Sequence, residues 1–324
     1  MKQVAIGIDL GGTSTAVGLV DQSGHVLIDD DFVTKDFQDF RDFINKLHEV
    51  IDKLYNQVKE NQEIELCGIG IGAPNGNYYR GSIEFAPNLP WKGILMFVEE
   101  LKKFYNIPIV LTNDANAAAI GEMIYGGAKG MKDFIVITLG TGLGSGIVAN
   151  GKLIYGADGF AGELGHTIIR HNGRFCGCGL QGCLETYVSA TGLKRTVFHM
   201  LARFSYPSDL RDKTFNEITS KMVAEAAQQG DKIAIESFEY TAKILGQKLA
   251  EAVAYTSPEA IFLFGGLAQA GDILFVPTKK YMEDNLLRIF KNKVKILPSG
   301  IPDQYAAVLG ASALVWAEIE RLKQ

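Results

Sequence analysis

The sequence predicts an α/β fold, and three observations carry that expectation. Short apolar runs alternate with helical patterns along the chain. The apolar runs repeatedly end in glycines, as buried strands do at turns. A strand, glycine turn and strand near the start can also be laid on a later copy. An offset of 129 residues carries Leu10-Gly11 onto Leu139-Gly140 and Val17–Val20 onto Gly146–Ala149. The identity is slight, so this is a weak internal repeat, with the spacing of a duplicated domain.

Taken in order, Val4–Leu10 reads as a buried strand, followed by strands at Ala16–Val20 and Val26–Ile28 around the turn Asp21-Gln22-Ser23-Gly24. Phe37, Phe40, Phe43, Ile44, Leu47, Val50, Ile51, Leu54 and Val58 recur at helical spacing. Leu66–Ile71 is a strand ended by Gly72-Ala73-Pro74. A helix over Leu95–Tyr105, a strand over Ile109–Leu111 and a helix over Ala115–Tyr125, opened by Asn113-Asp114, follow. The second half begins with the strand Phe134–Leu139. It continues with helices near 185–201, 214–228 and 231–257, the strand Ala260–Phe264, a helix near 275–290, the strand Val294–Leu297 and a closing helix near 305–321.

The 324 residues suggest two domains at roughly 100–200 residues each. A hydrophobic content of 47% with 21% charged residues supports a buried core and excludes dominant disorder. Glycine is in excess, 36 residues with only 9 prolines, which points to tight turns and close backbone approach. The net charge of −5 makes non-specific nucleic-acid binding unexpected. The N-terminus lacks the features of a signal peptide, and no run approaches the roughly 18 apolar residues of a membrane span. A cytoplasmic protein is expected.

Asp9-Leu10-Gly11-Gly12-Thr13 lies between two strands, so it is neither a P-loop nor a dinucleotide fingerprint, both of which open a helix. A strand–Gly–Gly–strand turn presents backbone amides that a phosphate can approach, with Thr13 adding a hydroxyl and Asp9 placed to hold water on magnesium. The plainer reading is a hairpin turn whose glycines supply positive φ. Two further glycine turns, Gly140-Thr141-Gly142-Leu143-Gly144 and Gly265-Gly266, also end apolar strands, where ligands gather in α/β sheets. Three such turns favour ATP phosphates and the adenosine end as their ligand.

Asp114 sits between a strand and an alanine-rich helix. It reads either as a helix cap or as a general base, kept ionised by a helix N-terminus and accepting a proton from an attacking alcohol. His166 with Cys176, Cys178 and Cys183 offers one imidazole and three thiols, which suits tetrahedral zinc. Four protein ligands leave no open position, so that zinc is expected to be structural. Cys67, in an apolar strand, reads as core. Glu163 and Glu185 flank the cluster and either face solvent or accept hydrogen bonds from vicinal sugar hydroxyls.

Asp9-Leu10-Gly11-Gly12-Thr13, Asn113-Asp114-Ala115-Asn116, Gly162-Glu163-Leu164-Gly165-His166 and Cys176-x-Cys178-x4-Cys183-x-Glu185 together resemble the ROK family of repressors and kinases, most closely its bacterial glucokinases. The resemblance runs from Val4 to the last helix. It implies an actin-like ATPase (ribonuclease H-like) fold of two α/β domains around a central cleft. Residues 1–118 would form the smaller domain, completed by the C-terminal helix 305–324, and residues 119–304 the larger one with the zinc loop. It implies ATP- and magnesium-dependent phosphorylation of a hexose at its 6-hydroxyl, glucose first, as in glycolysis, with N-acetylglucosamine or N-acetylmannosamine as alternatives.

By that likeness Asp114 is the base, and Asn88, Asn113, Glu163, His166 and Glu185 bind the sugar. His166 also ligates zinc through its other ring nitrogen. Gly11, Gly12, Gly140, Gly142, Gly144, Gly265 and Gly266 hold ATP. A homodimer or tetramer is implied. Two departures stand out. Many members carry Gly-x-Pro-Gly-x-x-Asp where this chain has Gly72-Ala73-Pro74-Asn75-Gly76-Asn77 followed by Tyr78-Tyr79-Arg80, and Ser14 stands where lysine is frequent. The altered loop bears on substrate preference, and a charge near the phosphates is missing.

A sugar-responsive repressor of the same family is the rival reading; the early first strand and the net charge of −5 leave no place for a helix-turn-helix. An actin-like or chaperone ATPase is the other, and the zinc loop with its glutamates argues against it.

Overall fold

The computed structural model describes residues 1–302 and 305–322, which pack into two compact units. The first holds Met1–Met131, Leu153–Ala161 and the stretch from Ser299 onward; the second holds Lys132–Lys152 and Gly162–Pro298. The break after the N-terminal part thus falls at 131/132, beyond the alanine-rich helix, rather than inside that helix at 118/119. The return of 153–161 to the first unit has no counterpart in the sequence pattern. Asp303 and Gln304, at the expected boundary, and Lys323 and Gln324, at the end of the expected final helix, lie outside the described residues.

In the first unit, β1 (Lys2–Leu10), β2 (Ser14–Asp21), β3 (Val26–Val33), α1 (Phe40–Lys59) and β4 (Ile64–Gly72) come first. They are followed by the short strands β5 (Gly76–Asn77), β6 (Ser82–Glu84) and β7 (Ile94–Leu95), and by α2 (Phe97–Leu101), β8 (Ile109–Thr112) and α3 (Asp114–Ile124). The main sheet has the order β3-β2-β1-β4-β8, and β5-β6-β7 form a small separate sheet that the sequence pattern does not announce. β1 runs antiparallel to β2 and parallel to β4, which runs parallel to β8. The register aligns Asp9 with Gly72 and Gly72 with Thr112, so Asp9 and the start of α3 emerge at the same end of the sheet.

One face of this sheet is covered by α1, capped by Asp39 and burying Phe43, Leu47, Ile51 and Leu54. The other face is covered by the C-terminal helix, Ala306–Leu322, packed with α3. Glycine is required there: a Cβ at Gly7 or Gly70 would collide with the carbonyl of Val308 or Ala311, so the helix backbone lies directly on the strands. The helix expected over 95–105 is only α2. Phe104 and Tyr105 leave the helical path to pack on α1, where Phe104 stacks on His48 at 4.1 Å and the Tyr105 hydroxyl donates to Asp52 at 2.9 Å.

The second unit repeats the plan. It contains β9 (Phe134–Leu139), β10 (Leu143–Ala149), β11 (Lys152–Leu153, at the edge where the chain passes back), α4 (Ala190–Arg203), α5 (Ser220–Gln228), α6 (Lys232–Thr256), β12 (Ala260–Phe264), α7 (Asp272–Asn285) and β13 (Lys295–Pro298). The sheet order is β11-β10-β9-β12-β13, with β9 antiparallel to β10 and parallel to β12. The offset of 129 seen in the sequence carries the end of β1 at Leu10 onto the end of β9 at Leu139, and the start of β2 at Ser14 onto the start of β10 at Leu143. The core of this unit joins Ile135, Ile137, Ile261 and Leu263 of the sheet to Leu193, Phe238, Leu245, Leu249 and Leu274 of the helices. α4 starts five residues later than expected because Leu184–Thr186 form a separate 3-10 turn and Ser189 caps the helix, accepting from Gly192 N.

Candidate active site and metal centre

The first unit gathers Asp9, the turn 11–13, Asn88, Asn113 and Asp114. The turn is closed by Gly11 N donating to Ser14 O at 3.0 Å, while the N–H groups of Gly12 and Thr13 have no acceptor among the described residues. A Cβ at Gly12 would strike the carbonyl of Asn88, so the turn and the Asn88 loop lie in contact. That loop is anchored on both sides. Leu89 and Trp91 are buried, Trp91 packs on Phe43 at 4.6 Å and donates to Phe37 O at 3.1 Å, and Lys92 Nζ bonds the carbonyls of Pro87 and Leu89. Asn88 itself is left exposed.

Asn113, not Asp114, caps α3: its side-chain oxygen accepts from Asn116 N at 2.7 Å. Its amide nitrogen remains for a ligand. Asp114 is the first helical residue, accepting from Ala115 N at 2.8 Å. It keeps solvent access, yet desolvation by the surrounding protein raises its carboxyl above the usual range. Asp9 is half-buried, and burial, then the negative charge of Asp114, pushes its carboxyl up to about 6. A carboxylate whose ionisation is opposed by burial and by a neighbouring carboxylate is a place where a cation would relieve the cost.

The altered loop after β4 has a clear physical reading. Asn75 takes φ 52°, in the left-handed region that Asn tolerates, at the position where the family pattern has glycine. Its side chain donates to Glu84 O at 3.0 Å. Tyr78 stacks on Tyr155 at 3.9 Å and donates to Glu318, Tyr79 donates to Gly156 O at 2.9 Å, and Asn77 donates to Asp158 O at 2.9 Å. The side chains of this loop are therefore committed to holding segment 153–161 and the C-terminal helix.

In the second unit, the turn 140–144 closes through Gly140 N to Gly142 O at 3.1 Å, and Gly144 N donates to Thr138 Oγ1 at 3.1 Å. The N–H groups of Thr141 and Gly142 have no acceptor among the described residues, nor do those of Gly265 and Gly266. Nothing lies within 4 Å of a Cβ placed on Gly140 or Gly266, so packing does not demand glycine there. Gly265 adopts φ 97° against the carbonyl of Leu139.

The candidate metal centre is assembled from one loop. Cys176 N bonds Leu180 O at 2.9 Å, isolated bridges join Ile168 to Cys183 and Phe175 to Gln181, and Gly182 at φ 82° passes too close to Arg170 for any side chain. The donor atoms of His166, Cys176, Cys178 and Cys183 all lie within 4.8 Å of one another. Cys178 Sγ and Cys183 Sγ are 3.7 Å apart, as are Cys176 Sγ and His166 Nδ1. Zinc–sulfur bonds of about 2.3 Å at tetrahedral angles give edges of about 3.8 Å, which these two separations match, so the set suits zinc. Nδ1 is the ring nitrogen that faces the thiols, and Nε2 is turned toward Glu163 at 3.9 Å. Burial pushes the Cys183 thiol up to about 12; a bound cation reverses that cost by stabilising the thiolate.

Two residues here carry roles that sequence spacing does not display. Arg174 donates to Thr186 O, Gly192 O and Thr196 Oγ1 and lies over the Tyr187 ring, tying the metal loop to α4. Glu185 Oε2 accepts from Leu143 N at 2.9 Å, 42 residues away, while its other oxygen lies 3.6 Å from Cys176 Sγ.

Two sheets of one strand order, each with an open amide turn after its first strand, define an α/β protein of the actin-like ATPase fold, here carrying a cluster of one histidine and three cysteines that could hold a metal ion. The chain belongs to the ROK family, whose model matches residues 5–318. It is 33% identical over 321 residues to a glucokinase of Thermotoga maritima, covering 97% of this chain and 98% of that one. Among solved structures it is similar to a ROK-family glucokinase from Streptomyces griseus in complex with glucose and AMPPNP, with TM-score 0.80, 32% identity and coverage of 96% and 98%. It is also similar to a ROK-family transcriptional regulator, a homologue of the Escherichia coli MLC protein, with TM-score 0.85 and 26% identity, covering 97% of this chain and 78% of that one. No helix among the described residues is long and apolar enough to cross a membrane.

Proposed function

We propose that the chain is an ATP-dependent hexose kinase that converts glucose to glucose 6-phosphate. The observation that carries this reading is the similarity, at 32% identity over 96% of the chain, to a glucokinase that binds glucose and AMPPNP. The free amides of the three glycine turns support it, because they suit the phosphates and adenosine end of ATP. Asn88, Asn113, Glu163, His166 through Nε2, and Glu185 are the proposed sugar ligands.

In this mechanism Asp114 accepts the proton of the 6-hydroxyl as that oxygen attacks the γ-phosphorus. The new O–P bond forms as the bond to the β-phosphate oxygen breaks, and ADP leaves. The raised carboxyl of Asp114 makes it a better base than an ordinary aspartate, though positioning carries most of the effect in a loose transition state. Magnesium, held through Asp9, would supply charge neutralisation at the phosphates. Zinc on His166, Cys176, Cys178 and Cys183 would have a structural role, fixing the loop from which Glu163 and Glu185 reach the sugar.

The regulator reading rests on the TM-score of 0.85 to a transcriptional regulator. The two are separated by ADP release from ATP and magnesium with a panel of hexoses and N-acetylhexosamines beside a sugar-free blank. Sugar-dependent release with glucose foremost is expected; a flat panel over a low blank overturns the kinase reading.

A further inference from the structure

Glu185 joins two pieces of machinery that the sequence keeps apart. On one side it touches the metal loop, through the contact between its carboxylate and Cys176. On the other its Oε2 accepts the Leu143 N–H at 2.9 Å. Leu143 is buried and opens β10, directly after the turn whose Thr141 and Gly142 amides are free. The same carboxylate fills the space beside Gly142, where a Cβ would collide with it. Thr138 Oγ1 takes the next amide, that of Gly144, from the neighbouring strand. The turn is therefore held by two side-chain acceptors, which take the amides of Leu143 and Gly144 and leave those of Thr141 and Gly142 uncommitted.

We propose that Glu185 is a positioning residue for the nucleotide: by holding Leu143 N–H it fixes the 140–144 turn in the conformation that receives the triphosphate, and so ties nucleotide affinity to the metal loop. The inference rests on the kinase reading and goes beyond it, because it gives Glu185 an effect that exists without any sugar. A short turn with three glycines has many accessible conformations, and one part-buried charge-assisted hydrogen bond at its exit restricts them.

The test is calorimetric titration of the full chain, in excess zinc and without sugar, with magnesium-AMPPNP. Glu185→Ala and Glu185→Asp are expected to bind about tenfold more weakly, the second because its carboxylate, one methylene shorter, withdraws from Leu143. Glu185→Gln, whose amide oxygen still accepts from Leu143 N–H, is expected to stay within about threefold of the wild type. Amide exchange at Leu143 should quicken in the Ala and Asp variants and not in the Gln variant. The proposal is overturned if Glu185→Asp binds AMPPNP like the wild type with Leu143 exchange unchanged, or if Gln loses as much affinity as Ala. A wild-type protein that does not bind AMPPNP at all overturns the ATP reading as well, which separates the two failures.

Discussion

Replacing Asp9 with asparagine should make the protein more stable and less active. The Asp9 carboxyl lies between buried strands with Asp114 nearby, and its value stands at about 6 against an ordinary 3.8. The folded protein therefore disfavours the ionised form. That cost is absent below the unfolded value, grows between the two values and is complete above about 6. The difference corresponds to about 3 kcal/mol at pH 8 and about half of that at pH 5. The amide introduced by Asp9→Asn is neutral at every pH, so the variant should gain unfolding free energy most at pH 8. Urea denaturation in magnesium-free buffer at the two pH values reads this directly. Equal or lower stability of the variant at pH 8, or the same gain at both pH values, would refute the reasoning. Turnover should fall in the same variant, since a cation at the phosphates loses its carboxylate.

Asp114→Asn should lower kcat by about 10²–10⁴-fold while sugar binding, followed by calorimetry, remains measurable; near-normal turnover removes Asp114 as the base. Purified protein should carry about one zinc per chain, and Cys178→Ser should lower both the metal content and the melting temperature; metal analysis and a thermal melt check this together. Glu122, buried in α3, accepts from Gly127 N at 2.8 Å, Gly300 N at 3.1 Å and the Ser299 hydroxyl. Glu122→Ala leaves those amides unpaired and should cost about 2–4 kcal/mol by urea denaturation.

The longer strands and most helices were legible because their signals are local, whereas the two- and three-residue strands β5, β6, β7 and β11 were not. β1, β4, β9 and β12 are apolar runs ended by glycine, and α1 keeps its apolar stripe over 20 residues. The repeat was legible at slight identity because strand length and turn position match between the sheets, as the shared offset of Leu10 and Ser14 shows. The clustering of His166, Cys176, Cys178 and Cys183 was legible because all four lie within 18 residues of sequence. What was missed depends on contacts between distant segments. Nothing near Glu185 announces Leu143, and nothing near Tyr78 announces Tyr155. The short α2 was lost for the same reason, since contacts with α1 outweigh the helical preference of residues 102–105. At Asp114 the cap and the base readings were both open from sequence, and the structure gives the cap to Asn113.

As proposed, the chain moves a phosphoryl group from ATP to the 6-hydroxyl of glucose. Phosphorus NMR of a reaction with glucose, run beside one with 6-deoxyglucose, tests it most directly. Glucose 6-phosphate and ADP are expected in equal amounts with glucose, and 6-deoxyglucose is expected to yield no sugar phosphate. ATP hydrolysis without a sugar phosphate, or phosphorylation of 6-deoxyglucose at the rate of glucose, would contradict it.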